Sequence, residues 1–532
     1  MDEMNYNTGL PAENEGIPQA ESFPPPPAEQ IRYPSGLVLP AARPAPLRRE
    51  PPKRGSGRDL ALAVALLGFC FLLWDSLCWA QGIGLGEALG LFALLPAALI
   101  YLRERPGRMT GYGLLCTALS FLGAASLAFS GDLALKTLTM MALTPLFVIV
   151  LLERLDLRTG AGPLARLRDL LVTWFGRTFG RIHLGAYALT HCGEKDSAKS
   201  KRNRAILIGL ACAVPALLIL VPLLISSDAA FAGMVEQLDW DSAMKGFFAL
   251  IPASFAALLL FSLLFTAEKP ERAAGNRTRR GVDPAAVTAF LGLISAAYVL
   301  YLVSQFAYFT DAFRGLLPED FTVAEYARRG FFEMCAIVAI NLLLIILAVG
   351  LCRKEGGRVP AAVKALALFL CLFSLALVAT ALSKMVLYMR SLGLTRLRVL
   401  TSAFMIFLAL VVIAKAIQLF VKKVPVAQLA VTLGAAILIA LSLMNVDGMV
   451  ARYNVDAWRT GRLDSLDMET ICELGDGATP VIVELLDCGE PSIAGAARKE
   501  LGCREIETDW RSWNLVTAQA NAALEEVRSK KE

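Results

Sequence analysis

Histidine is nearly absent from this sequence, because 532 residues contain only His183 and His191. Two histidines are too few for a histidine-rich metal site or a histidine proton relay, so we expect no metal and no cofactor. The motifs G-x-x-x-x-G-K-S/T, G-x-S-x-G and H-E-x-x-H are missing, and no G-x-G-x-x-G follows a strand. Such motifs cradle phosphates, present nucleophiles or bind zinc. Their absence argues against ATP-driven transport by this chain alone and gives a covalent hydrolase no support.

Apolar residues are abundant: they make up 56% of the sequence and give a mean hydropathy of +0.55. Runs of about 20 apolar residues are long enough to cross a bilayer as helices. We therefore predict an all-α fold, a polytopic membrane helix bundle with about 11 transmembrane helices. The candidate spans are 60–79, 88–102, 110–129, 136–152, 205–226, 246–266, 286–308, 331–352, 361–382, 397–421 and 424–445.

These runs divide the chain into three predicted domains. Residues 1–58 hold no apolar period and are rich in proline, so we predict a disordered cytoplasmic tail. Its P-P-P-P run fits a plain extended linker, the alternative being a ligand for a proline-binding domain. Residues 59–445 form the predicted transmembrane domain. Residues 446–532 form a predicted small extracytoplasmic helical domain, and we expect no nucleic-acid partner.

The distribution of basic residues predicts the orientation. One set of alternate connections is strongly basic, with eleven Lys and Arg between Arg154 and Arg204. The other set starts nearly bare, with no Lys or Arg between Ala80 and Glu87. Because positive loops stay in the cytoplasm, we predict a multi-pass cell-membrane protein with a cytoplasmic N-terminus. An odd number of spans then places the C-terminus outside.

The longest predicted cytoplasmic connection, 153–204, contains an amphipathic segment at about 162–185. Its apolar residues, including Trp174, Phe175 and Phe179, lie largely on one helical face, and arginines flank them. This pattern is typical of a helix that lies in the membrane interface with its aromatic residues at headgroup depth. We therefore predict an interfacial helix here, with the lipid bilayer as its partner.

Two predicted external connections are basic, although basic connections are expected in the cytoplasm. The first of them precedes the span 331–352. Glu325, Arg329 and Glu333 are spaced four apart and share one helical face, and Arg328 lies one position away. A membrane protein that keeps basic residues outside has a use for them there. Simple salt bridges between Arg329 and its two glutamates are the alternative interpretation.

The second basic connection lies between the spans 361–382 and 397–421. Gly393 predicts a left-handed helix stop, and Thr395 predicts the cap of the next helix. Arginines near one turn form a suitable site for a phosphate or a carboxylate. We predict that the two basic connections meet in one external anion site. The residues that this connection contributes are Lys384, Tyr388, Arg390, Arg396 and Arg398.

Four polar residues within the predicted spans are further candidates, because polar groups in a bilayer are costly. Asp75 has either a transport role or a structural partner such as Lys384 or Arg390. Lys415 lies close enough to the inner end of its span to reach the headgroups. Gln305 and Asn341 are uncharged, and helix–helix hydrogen bonding explains them most simply.

Three stretches carry a family resemblance: AEYARRGFFE at 324–333, SKMVLYMRSLGLTRLR at 383–398 and ARYNVD at 451–456. Together they resemble a family of bacterial polytopic membrane proteins that is catalogued only as a domain of unknown function. The resemblance covers roughly residues 200–475 well and the earlier spans more loosely. It implies an integral-membrane location, and it brings no substrate, cofactor or catalytic residue.

Three functional hypotheses follow. The first is a carrier or flippase-like protein for an anionic or lipid-linked molecule, based on the many spans and the external basic residues. The second is an envelope sensor or scaffold, based on the substantial regions outside the spans. The third is a membrane-embedded enzyme acting on envelope lipids, with Glu325, Glu333 or Asp75 as acid–base groups. A polar path across the bilayer would favour the first hypothesis.

Overall fold

The computed structural model describes most of the chain beyond the proline-rich tail. The described residues are 53–79, 82–105, 107–160, 163–192, 240–266, 281–314, 331–356, 358–421 and 423–530, with isolated positions between 202 and 227. Helices dominate these residues, which contain isolated β-bridges but no β-strand. The predicted tail 1–58 and the predicted span 205–226 lie almost entirely outside them.

The membrane helices confirm the predicted all-α bundle. Nine helices in the described part of the chain are long and apolar enough to cross a bilayer, and Gly111–Leu127 is a shorter apolar helix. In chain order the helices of this region are α1 Gly57–Trp79, α2 Leu85–Tyr101, α3 Gly111–Leu127, α4 Leu133–Arg154, α5 Pro163–Leu171, α6 Ile182–Thr190, α7 Trp240–Phe265, α8 Pro284–Arg314, α9 Phe331–Leu351, α10 Ala361–Leu392, α11 Arg396–Phe420 and α12 Val426–Leu443.

Two groups of helices build the core of the bundle. In the first group, α1 packs along α7 through Leu66, Phe69 and Phe261. In the second, α10 packs against α8, α9 and α11, and its Leu370 and Leu377 are fully buried. Helix α12 contacts α3, α4 and α11, so it links α3 and α4 to the second group.

The C-terminal region is helical, and its core is continuous with the ends of the membrane helices. Asn445 has a φ of 45° and caps the first of its helices, accepting a hydrogen bond from the Gly448 amide at 3.1 Å. A Cβ on Gly477 would lie 2.0 Å from Asn445 Oδ1, so this approach requires glycine. The helices are α13 Val446–Arg459, α14 Met468–Cys472, α15 Thr479–Glu484, α16 Pro491–Cys503 and α17 Leu515–Ser529.

The predicted amphipathic segment is helical from α5 through α6, with a π-helical turn at Val172–Arg177 between them. Leu167, Phe175 and Phe179 are exposed on its surface, and its neighbours Trp174 and Phe175 stack at 5.4 Å between ring centroids. The described residues of the segment are thus mainly helical. Its position in the plane of the membrane remains a prediction.

Candidate functional site

The C-terminal helices contact one end of the bundle, which we call the capped end. Residues near Arg511 reach the end of α1 and the start of α2, while α13 packs against α11. The C-terminal end of α4 lies at the opposite end. The charge pattern assigns the capped end to the outside, and that orientation remains a prediction.

Arg396 occupies the start of α11 at the capped end, where it binds two carboxylates. Its Nε and Nη2 donate to the two oxygens of Asp447 at 2.7 and 2.8 Å, and Nε lies 3.2 Å from Asp132 Oδ2. Both acidic side chains are 3% exposed. A bidentate arginine–carboxylate pair is strong and directional, so Arg396 links α11, α13 and the start of α4.

The turn before α11 has the predicted local structure. Helix α10 ends at Leu392, Gly393 follows with a φ of 76°, and Thr395 caps α11 by accepting from the Arg398 amide at 3.4 Å. Asn454 then holds the turn against α13. It accepts from the Leu394 amide at 2.6 Å and donates to the carbonyl of the same residue at 2.8 Å.

The other basic residues of this connection have different surroundings. Arg398 donates to the carbonyl oxygens of Leu392, at 3.1 Å, and of Gly393, and its guanidinium lies 3.9 Å from the ring centroid of Tyr388. Arg390 is exposed, and Lys384 is half-buried. Of the three arginines that we predicted to bind an anion together, two are thus engaged within the protein.

The other predicted half of that anion site is mostly not described. Glu325, Arg328 and Arg329 lie outside the described residues, and Glu333 is exposed at the start of α9. The proposed meeting of the two basic connections therefore remains a prediction.

Asp75 has a structural partner, but it is neither Lys384 nor Arg390. Its Oδ2 accepts from Arg511 Nη1 at 2.5 Å, which ties the end of α1 to the C-terminal region. Arg511 also binds Asp509, with Nη2 2.7 Å from Asp509 Oδ2. Hydrogen bonds from Arg511 lower the pKa of Asp509, and the two carboxylates raise the pKa of Arg511.

Of the remaining candidates inside the bundle, Asn341 forms hydrogen bonds between helices, and Lys415 forms one within α11. Asn341 accepts from the Tyr298 hydroxyl at 2.7 Å and donates to Ser374 at 3.0 Å, which joins α8, α9 and α10. Lys415 is 3% exposed and donates to Gln418 at 2.9 Å, so it does not reach the headgroups. The side chain of Gln305 lies outside the described part.

A cavity that we did not predict lies at the opposite end, under the amphipathic segment. Its volume is about 180 Å³, and its walls come from the ends of α3, α4, α5 and α12. We call it the α4 cavity. Most of its walls are apolar, including Ile149, Leu152, Leu170 and Val431, and charged side chains line the rest. It therefore suits an amphipathic molecule.

The charged residues of the α4 cavity differ in how they are satisfied. Buried Glu153 accepts from Thr110 at 2.5 Å and from Arg158 at 3.3 Å. Buried Asp169 accepts from the amide and the hydroxyl of Thr159, at 2.8 and 2.6 Å.

Arg166 has neither an ion pair nor a hydrogen bond among the residues that the structure describes. Glu153 and Asp169 thus have partners within the protein, whereas the guanidinium of Arg166 is available to a ligand.

A second cavity, of about 190 Å³, lies beside the middle of α4. It is bounded by α1, α2, α3 and α7, and its lining is apolar apart from Ser120 and Thr144. Thr144 of this cavity and Leu152 of the α4 cavity are eight residues apart, which is about 12 Å along the helix. Both cavities lie along the same helix.

Sequence reasoning missed these charged residues because it assigned them to connections. The predicted span 136–152 ends one residue before Glu153, whereas α4 continues to Arg154 and buries that glutamate. The sequence signal that could have located the cavity is the amphipathic segment, which begins close to the end of α4. We had placed Arg166 on the flank of an interfacial helix and Arg158 in the basic connection 153–204.

A comparison with protein families identifies a match over most of the chain. The model described as "Domain of unknown function (DUF4153)" matches residues 61–485, from α1 to just beyond α15. No curated protein and no solved structure matches the chain.

Proposed function

We propose that this chain, which belongs to the DUF4153 family of unknown function, carries an anionic lipid or a lipid-linked molecule. Its apolar helices indicate a multi-pass membrane protein. The observation that carries the proposal is the α4 cavity, which combines apolar walls with Arg166. A flippase-like carrier needs such a site, because a lipid presents hydrocarbon and a charged headgroup together.

The headgroup would bind at the charged wall of the α4 cavity. Arg166 offers five N–H donors in a planar fork that matches a phosphate or carboxylate. Glu153 and Asp169 repel an anion less than unpaired carboxylates would, because Arg158 lies 3.3 Å from Glu153 and Arg168 lies 3.7 Å from Asp169. An anionic headgroup therefore suits the cavity better than a cationic one.

Hydrocarbon would pack against the apolar walls and continue along α4. The second cavity is the next apolar space in that direction, about 12 Å from the first. The exposed apolar side chains of the amphipathic segment, among them Leu167 and Phe175, give the α4 cavity a lipid-facing border. Entry from the bilayer rather than from water follows from this border.

The alternative function is an envelope sensor or scaffold. The capped end favours it, because Arg396 and Arg511 hold the C-terminal region on the membrane helices through ion pairs. A membrane-embedded enzyme is less well supported. Asp75, one of its candidate acid–base groups, is bound to Arg511 and so is poorly suited to proton transfer.

Co-purified and added lipids test the carrier proposal directly. Native mass spectrometry of the full chain should detect phosphatidylglycerol in preference to phosphatidylcholine. Leu170→Trp fills the α4 cavity, and we expect it to reduce this binding about tenfold, equal to about 1.4 kcal/mol. Leu171→Trp, its neighbour on the exposed side of α5, should bind as the unmodified chain does. Equal binding by both variants would refute the site.

Carriage itself needs a second measurement. Vesicles of phosphatidylcholine with a trace of headgroup-labelled phosphatidylglycerol, containing the full chain, report movement between leaflets through quenching by an impermeant reductant. We expect movement that Leu170→Trp slows and Leu171→Trp does not. Lipid binding without movement would instead favour the sensor.

A further inference from the structure

Glu87 is a completely buried carboxylate in the first turn of α2, at the capped end. It is 0% exposed, and its Oε2 accepts from the Gly84 amide at 2.7 Å. Its Oε1 has no hydrogen-bond partner among the described residues. Ser76 of α1 is 1% exposed, and its Oγ likewise lacks a partner within the described part of the chain. Two polar atoms are therefore left unsatisfied in one buried place, which is costly.

Lys136 of α4 faces the same region and is 4% exposed. Its Nζ donates to the carbonyl oxygen of Ile83, just before α2. Across the described ranges, no carboxylate lies within 4.0 Å of this ammonium. Acidic groups nevertheless surround it at longer distance on α2, on the turn before α4 and on the C-terminal region. These acids are Glu87, Asp132, Asp476 and Glu507.

We propose that Glu87 and Lys136 together form a proton-binding site at the capped end. A buried carboxylate and a buried ammonium that do not touch each lose hydration without gaining a full ion pair. Lys136 gives up a proton to the solvent, which breaks an N–H bond and leaves a neutral amine. Glu87 takes up a proton from the solvent, which forms an O–H bond at Oε1 and leaves a neutral acid, and the new hydroxyl can donate to Ser76 Oγ.

A proton is the ligand that fits best, because it needs no cavity. Among the described side chains, no three His, Cys, Asp or Glu lie close enough to hold a metal ion. The region is closely packed: a Cβ on Gly86 would lie 2.6 Å from Ser76 Oγ. Ionisable groups in membrane spans commonly serve proton transfer, and these two occur in the first turns of α2 and α4.

A loop of the C-terminal region covers the site. The amides of Leu85 and Gly86 donate to the carbonyls of Trp513 and Arg511, both at 2.9 Å. Proton exchange with the solvent thus requires this loop to move. The charged groups around the site fall into two sets. Glu87, Asp132, Asp476 and Glu507 act on Lys136 at longer distance. Arg511, which binds Asp75 and Asp509, lies beside Gly86, next to Glu87.

This site extends the proposed function, since proton binding could drive carriage, but it also stands alone. The test is infrared spectroscopy of the full chain in phosphatidylcholine nanodiscs, titrated from about pH 5 to about pH 9. We expect a protonated-carboxyl band that changes with pH in the unmodified chain and is lost in Glu87→Gln. Asp75→Asn should retain the band, because Asp75 is paired with Arg511.

A second variant keeps the test decisive if Glu87→Gln folds poorly. Ser76→Ala removes the hydroxyl that would accept from protonated Glu87, so the same band should shift rather than disappear. No pH-dependent carboxyl band in the unmodified chain, or an unchanged band in Glu87→Gln, overturns the proposal. Binding of phosphatidylglycerol should be normal in Glu87→Gln, so failure here and failure of the carrier proposal give different results.

Discussion

The two ends of α4 use charge in opposite ways. At the capped end, Asp132 lies in a buried cluster with Arg396 and Asp447, and the cation is neutralised within the protein. At the opposite end, Glu153 and Asp169 are satisfied by neighbouring groups, and Arg166 has no partner in the described structure. The first arrangement holds the C-terminal region on the membrane helices. The second leaves a cation available to a ligand. Basic residues in a predicted external connection, such as Arg396, therefore need not form a binding site.

The strongest test of this comparison is Arg396→Ala. It should lower the free energy of unfolding by about 3 kcal/mol, because it leaves Asp132 and Asp447 buried without their counter-charge. Thermal unfolding of the purified chain measures the loss. Arg390→Ala removes an exposed cation from the same connection and should change stability little.

The double variant Arg396→Ala with Asp447→Asn separates two explanations. If the stranded carboxylate causes the loss, removing its charge should recover part of the stability. Full stability of Arg396→Ala together with lost anion binding would reverse the comparison and restore the predicted external anion site.

The next largest effect concerns the turn between α10 and α11. Asn454→Ala removes both hydrogen bonds to Leu394, whose amide and carbonyl then lose their partner. We expect a loss of about 2 kcal/mol in the free energy of unfolding. Arg452→Ala, on the exposed face of α13, loses only its surface pair with Glu484 and is the matched control. Similar losses in both variants would contradict a specific role for the turn.

The sequence predicted the turn between α10 and α11 at the capped end, but it did not predict the ion pairs there. Gly393 and Thr395 were predictable, because a helix stop and a cap depend on neighbouring residues. The partners of Arg396 were not, because Asp447 and Asp132 are far along the chain and only the folded bundle brings them together. Hydropathy likewise located the spans, whose ends remained uncertain by a few residues.

The uncertainty in the ends of the spans explains why the sequence did not indicate the buried positions of Glu87 and Lys136. The predicted spans began at 88 and 136, whereas α2 begins at Leu85 and α4 at Leu133. Three residues decide whether Glu87 belongs to a solvated connection or to a buried first turn, and whether Lys136 is the first residue of its span or lies one turn inside α4. The α4 cavity was beyond local reasoning for another reason, since four helices from distant parts of the sequence form its walls.

Lowering the pH should also reduce the free energy of unfolding, by less than the Arg396→Ala or Asn454→Ala change does. Hydrogen bonds from Arg511 lower the pKa of Asp509 below its ordinary value of 3.8. A lowered pKa means that ionised Asp509 stabilises the folded protein. This stabilisation is complete above the ordinary pKa and is lost as the pH falls through the lowered pKa. Thermal unfolding between about pH 6 and about pH 2 should show this loss, most of it below about pH 4. Asp509→Asn should reduce the acid-dependent part, and an unchanged pH profile would contradict the assignment.

Arg166→Ala should have the smallest effect on stability and is the sharpest test of the opposite end. Because the side chain has no partner in the described structure, its loss should change the free energy of unfolding by about 0.5 kcal/mol or less. The same variant should lose the extra thermal stability that phosphatidylglycerol gives the unmodified chain, since a ligand stabilises only the state that binds it. Arg103→Ala, an exposed arginine at the same end and outside the cavity, should keep that extra stability. A marked loss of stability without lipid would mean that Arg166, like Arg396, is structural, and the difference between the two ends of α4 would disappear.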